Sequence, residues 1–159
     1  MIYLLLALLG NFFIVLADFL TKNAAVSHLK DNPPVNIING IVRLNYAANQ
    51  GAAWGMFQGG RWFFVSITIP VIAAIYYYYI KLPKTKLHNI LRAALVMISG
   101  GALGNFIDRL RQGYVVDFID FHVISFPIFN VADIFVVCGT ILFAVMVLFF
   151  IKDEKKADE

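Results

Sequence analysis

The stretch Phe129-Asn-Val-Ala-Asp-Ile-Phe-Val-Val-Cys-Gly-Thr-Ile-Leu-Phe-Ala-Val-Met-Val-Leu-Phe-Phe-Ile151 decides the fold class. From Val131 onward it stays apolar over the roughly 20 residues that a helix needs to cross a hydrocarbon core of about 30 Å. Asp133 stands at its start, where the chain passes from water into the apolar run. Three more stretches have this character: Ile2 to Leu20, Trp62 to Ile80 and Asn89 to Ile107. Composition agrees, since 60% of the 159 residues are hydrophobic and 14% charged, against roughly 45–50% and 25% in soluble domains. Mean hydropathy is +0.76. The sequence predicts a mainly α membrane protein of four transmembrane helices, forming one domain over residues 1–159.

The charges orient it. Lys81, Lys84, Lys86 and Arg92 crowd the short second link, and Lys152, Lys155 and Lys156 begin the C-terminal tail. Lys22, Lys30, Arg43, Arg61, Arg109 and Arg111 are spread over the longer first and third links. Lys and Arg concentrate on the cytoplasmic side, so both termini are expected there and the first and third links outside. The first apolar segment lacks a preceding basic residue and a small-x-small cleavage site, and it is expected to be retained. These basic residues are flanking anchors rather than a stripe among exposed aromatics, which argues against nucleic-acid binding. The tyrosines from Tyr76 to Tyr79, with Trp62 at the other end of their segment, read as aromatic belts. The lone Cys138 excludes an internal disulfide and is expected to be a small buried hydrophobe.

The outer links carry strand periodicity. Ile41, Arg43 and Asn45 alternate with Val42, Leu44 and Tyr46 after the turn signal Asn39-Gly40. After Gly113, the residues Val115, Asp117, Ile119 and Phe121 alternate with Val116, Phe118, Asp120 and His122. A small extracytoplasmic β platform on the helix ends follows. Within the third apolar segment, Gly100 and Gly104 belong to a small-xxx-small array that lets another helix approach closely.

Ionisable groups at a membrane boundary mark reaction or transport paths, and Asp117 and Asp133 are such a pair. His28, His88 and His122 are too scattered for a zinc site, so no metal is expected. Ser99 has no base at its depth and reads as a packing residue. Two close carboxylates suffice for peptide hydrolysis, because they cannot both ionise and one then serves as base while the other donates a proton. Each also has a plain structural reading. Asp133 fits the third helical position behind an Asn130 N-cap, and Asp117 fits a solvated strand position. Asp31, Asp120 and the acidic tail from Asp153 read as solvated. A proton or solute pathway through the boundary carboxylates is the alternative function, although the second and fourth segments hold few polar residues beyond Ser66, Thr68 and Thr140.

Four motifs occur in order: Asn49-Gln-Gly-Ala-Ala-Trp54, Gly104-Asn-Phe-Ile-Asp-Arg109, Val116-Asp117-Phe118 and Phe129-Asn-Val-Ala-Asp133. On a four-helix chain of this length the combination closely resembles the bacterial lipoprotein signal peptidases, or signal peptidase II. The resemblance implies an aspartic endopeptidase of the cytoplasmic membrane that needs no cofactor. Such an enzyme removes the signal peptide from prolipoproteins by cutting before a diacylglyceryl-modified cysteine, and globomycin-type lipopeptides block it. It also implies that Asp117 and Asp133 are catalytic. Asn49, Gly51, Gly104, Asn105, Asp108, Arg109, Asn130 and Ala132 would line the substrate groove, with Asp18 and Lys22 in support. Without it, Asn49 reads as a turn residue, Arg109 as an interfacial anchor paired with Asp108, and Asp18 with Lys22 as an i,i+4 ion pair.

Overall fold

A computed structural model describes residues 2–52, 56–124 and 126–151. Trp54 and the charged tail from Lys152 lie outside the described residues. The elements run α1 (Ile2–Leu29), β1 (Val35–Ile38), β2 (Val42–Asn49), α2 (Arg61–Lys81), α3 (Lys86–Gln112), β3 (Val115–Phe121) and α4 (Val131–Val145), which continues as π-helix over Met146–Ile151. All four helical segments, the last counted as Val131–Phe150, are long and apolar enough to span a membrane. Their outward faces are correspondingly apolar, with Leu5, Phe13, Ile69 and Ile141 all exposed.

Sequence chemistry sets the helix ends. Thr85 caps α3 by accepting the His88 N–H, and Gly113 ends it at φ 86°, a left-handed conformation that glycine adopts without a Cβ clash. Asn130 and Asp133 form a reciprocal capping box at the start of α4. Helix α1 runs past the apolar segment to Leu29. At 1.5 Å per residue its 28 residues reach about 42 Å, well beyond a bilayer core. The excess supports the sheet, as Ala25 and Leu29 pack against Val116 and Phe118.

The small residues of α3 are used within the chain. A Cβ on Gly100 would meet Ile14 of α1 at 2.9 Å, and one on Gly104 would lie 2.5 Å from Asp18 Oδ2 and 3.2 Å from Ala132 Cβ. Helix α3 thus sits between α1 and α4 at close range. Ser99 is buried in this packing, as expected, and also exchanges hydrogen bonds with Asn11 of α1 at 3.1 Å. Ser66, Thr68 and Thr140 bond the carbonyls of Phe63, Phe64 and Val136 on their own helices. Those hydroxyls do not form a relay.

The three strands form an antiparallel sheet in the order β1-β2-β3 at the end where α1 and α3 finish and α2 and α4 begin. Strand β1, Val-Asn-Ile-Ile, has no regular polar alternation that would mark it as a strand. On the β2–β3 ladder Arg43 pairs with Asp120, whereas Ala47 pairs with Asp117 and Asn49 with Val115, after a register shift between Leu44 and Ala47. In a regular strand Arg43 and Asn49 share a face, since side chains alternate with period two. The extra residue turns Asn49 to the opposite face.

Three sequence expectations are corrected. Asp120 is buried rather than solvated, because the register brings it against Arg43, whose Nε donates to its Oδ2 at 2.6 Å. Of the tyrosine run, Tyr77 and Tyr78 are exposed as a belt would be, but Tyr79 is buried and donates to the Tyr3 carbonyl at 2.6 Å, while Tyr76 accepts from Asn11. Helical spacing turns positions 76 and 79 to the bundle and 77 and 78 away from it. Cys138 is exposed, on the face of α4 that borders the site.

Candidate active site

The alternation of β3 builds one wall of a cavity of about 690 Å³ at the sheet end of the bundle. Val115, Asp117, Ile119 and Phe121 all face it, the four positions that share a face in the sequence pattern. Opposite stand Asp133, Ile134, Val137 and Cys138, successive turns of one face of α4. Phe129 exchanges backbone hydrogen bonds with Ile119 at 2.8 and 3.1 Å, which binds the start of α4 to the strand. Two carboxyls separated by 16 positions thereby open on the same space.

Asn130 joins them. Its Nδ2 donates to Asp117 Oδ1 at 2.6 Å, and its Oδ1 accepts the Asp133 N–H at 3.0 Å. Its own backbone N–H donates to Asp133 Oδ2 at 3.1 Å, so one fully buried residue contacts both carboxyls. Asn49 Nδ2 donates to the second oxygen of Asp117 at 2.8 Å, and the Gly51 N–H donates to Asn49 Oδ1 at 2.9 Å, fixing that amide's orientation. Asn105 Nδ2 donates to Asp133 Oδ1 at 2.7 Å. Burial pushes the Asp117 carboxyl up from its ordinary 3.8 to about 7. The neighbouring Asp133 adds to the rise, while Asn49, Asn130 and Lys22 oppose it.

Arg109 lies on the cavity wall with its guanidinium 4.5 Å from the centre of the Phe64 ring. Its Nη2 donates to the Gly51 carbonyl at 3.0 Å and Nη1 to the Asn105 carbonyl at 3.5 Å. It is therefore not the partner of Asp108. That carboxylate pairs with Lys22 at 3.0 Å, and Lys22 also pairs with Asp18 at 2.7 Å.

The groove residues implied by the sequence separate into two sets. Asn49, Gly51, Asn105 and Arg109 line the cavity with the two acids. Asn130 and Ala132 are buried behind its wall, and Gly104 and Asp108 border a different groove, between α1 and α3. Sequence reasoning missed Phe64 and the Ile134, Val137 and Cys138 face. An apolar stripe on an apolar helix has no contrast that would reveal it. Among the described residues no cluster of three or more His, Cys, Asp or Glu side chains could hold a metal ion.

Comparison with known proteins gives a consistent result. The family model described as Signal peptidase (SPase) II matches residues 11–149. A lipoprotein signal peptidase of Clostridioides difficile (strain 630) is 39% identical over 151 residues, covering 94% of this chain and 97% of that protein. One of Caldanaerobacter subterraneus subsp. tengcongensis is 45% identical over 138 residues, covering 86% and 92%. A solved bacterial membrane enzyme superposes with a TM-score of 0.80 at 36% identity, covering 89% of this chain and 87% of the other. A match of this extent leaves one assignment: the chain belongs to the signal peptidase II family, the multi-pass aspartic peptidases that process lipoprotein precursors.

Proposed function

We propose that Asp117 and Asp133 are the catalytic pair, and that the apolar cavity they face receives a prolipoprotein whose cysteine already carries diacylglycerol. The reading rests on one observation above others: both carboxyls open on a single cavity and both are held by the buried Asn130, that of Asp117 by its side-chain amide and that of Asp133 by its backbone N–H. With one proton between them, the ionised member takes a proton from water while the protonated member donates to the scissile carbonyl oxygen. The tetrahedral intermediate then collapses as a proton passes to the leaving amine. That proton belongs to the pair rather than to either residue.

Asn49 and Arg109 are suited to hold the extended peptide, since an amide both donates and accepts and a guanidinium offers a planar fork of donors. Ile134 and Val137 would meet acyl chains at the membrane-facing side of the cavity. Density of Lys and Arg at the α2–α3 link and the tail puts both termini in the cytoplasm, and the site on the outer side of the cytoplasmic membrane. Globomycin-type lipopeptides would occupy the same cavity.

The test uses the full chain in detergent with a synthetic precursor bearing either a diacylglyceryl-cysteine or an unmodified one. Mass spectrometry should find a new amino terminus at the modified cysteine alone, and globomycin should suppress it. Equal turnover of the unmodified precursor would refute the lipid requirement.

A pH dependence follows from the raised Asp117. The pair keeps its proton up to about pH 7, so kcat/KM should fall on the alkaline side of that value, by about tenfold per pH unit once the proton is lost. Stability has a related sign. The folded protein binds this proton more tightly than the unfolded chain, so the contribution is full below 3.8 and is lost as pH rises through about 7. Proteolysis assays and thermal melts across pH 5 to 9 check both, and a rate that kept rising to pH 9 would contradict the first.

A further inference from the structure

Lys22 lies on α1 and is 4% exposed. Its ammonium has three protons and meets three acceptors: Asp18 Oδ2 at 2.7 Å, Asp108 Oδ2 at 3.0 Å and Asn105 Oδ1 at 2.9 Å. The remaining side-chain bonds of these three partners lead toward the two acids. Asp18 Oδ1 accepts the N–H of Ala132, the residue before Asp133, at 3.0 Å. Asp108 Oδ2 accepts the N–H of Val116, the residue before Asp117, at 3.2 Å. Asn105 turns its Nδ2 to Asp133 Oδ1 at 2.7 Å, an orientation required once its oxygen faces the ammonium. One cation therefore ties down the peptide unit in front of each aspartate and the amide that holds one of them.

We infer that Lys22 is a positioning residue for hydrolysis, which through Asp18, Asp108 and Asn105 sets the spacing and orientation of Asp117 and Asp133. The inference rests on the catalytic reading of that pair. Stability alone is a weak reason for such an arrangement, because packed apolar side chains in place of buried ion groups are often neutral or favourable. Gly104 belongs to the same device: a Cβ there would press on Asp18 Oδ2 at 2.5 Å, so only a bare backbone leaves room for the carboxylate. Asp108, which the family likeness would put in the substrate groove, is assigned to this clamp instead.

The test compares Lys22→Met with the wild type for kcat, KM and the pH profile per folded molecule. Loss of aligned geometry should lower kcat by about 10²-fold while KM changes little. The charged groups around Lys22 are Asp18 on α1, Asp108 and Arg109 on α3, Asp117 on β3 and Asp133 on α4. Since Lys22 opposes the rise at Asp117, its loss should also move the alkaline limb to higher pH. A merely structural lysine would reduce the folded fraction and leave kcat per folded molecule unchanged.

If Lys22→Met does not fold, Lys22→Met combined with Asp108→Asn decides. Lys22, Asp18 and Asp108 sum to one negative charge, and so does Asp18 alone, while the asparagine oxygen can still accept from Val116. Wild-type kcat in either folded variant would overturn the clamp. Asp117→Asn and Asp133→Asn are run alongside. If those remain active, the catalytic reading itself fails, whatever Lys22 does.

Discussion

Asp117→Asn and Asp133→Asn should each lower kcat by about 10³-fold or more, the upper part of the range for removing a positioned acid or base, with the fold intact. Each substitution is nearly isosteric, so stability depends on hydrogen-bond bookkeeping. Asp117 accepts from Asn49 on one oxygen and Asn130 on the other. An asparagine amide has one oxygen, so one of those donors would meet an NH2 group and a bond worth about 1 kcal/mol would be lost. Removing a buried charge offsets part of this. At position 133 the oxygens accept from the Asn130 N–H and from Asn105 Nδ2, and the exchange is similar. Melting in detergent should therefore shift by a few degrees while cleavage of the lipidated precursor disappears. A variant that kept about a tenth of the wild-type rate would remove its residue from the proton-transfer role.

The parts of the molecule that repeat a period were legible in the sequence. The four spans follow from apolar length, and the wall of the cavity follows from the alternation Val115, Asp117, Ile119, Phe121, which the structure turns to one space. The capping box at Asn130 was legible for the same reason, since its chemistry is local. What escaped depends on contacts between distant segments. Arg43 and Asp120 are 77 positions apart and meet only because of the strand register. The bulge that separates the face of Arg43 from that of Asn49 leaves no mark in an unremarkable Leu-Asn-Tyr-Ala run. The apolar run Ile2 to Leu20 falls short of α1, because Asp18 and Lys22 interrupt it with charge. In fact they are buried inside the bundle and the helix continues for two further turns. Cys138 shows the reverse: its apolar neighbours suggest burial, yet in a bilayer the exposed faces are the apolar ones.

Asn130 offers the second large effect, because two of its roles can be separated by choice of substitution. Its Oδ1 caps α4 through the Asp133 N–H, and its Nδ2 reaches Asp117 and, at 3.1 Å, Asn105. Serine is about as good an N-cap as asparagine, whereas alanine typically costs about 1 kcal/mol. A serine hydroxyl retained at the cap is too short to reach Asp117 as well. Asn130→Ser should therefore keep the start of α4 but release the carboxyl of Asp117, and Asn130→Ala should lose both. Turnover should drop by about 10²-fold in each, the scale of a roughly 1 Å misplacement of reacting groups. Thermal stability should separate them, with the alanine protein the lower by about 1 kcal/mol. The two measurements are independent: steady-state cleavage of the lipidated precursor reads the bridge between the acids, and the melting curve reads the cap. If Asn130→Ser turned over at the wild-type rate, the amide between the two aspartates would be a helix cap and nothing more. Their alignment would then have to come from Asn49, Asn105 and the contacts of Lys22 with Asp18 and Asp108.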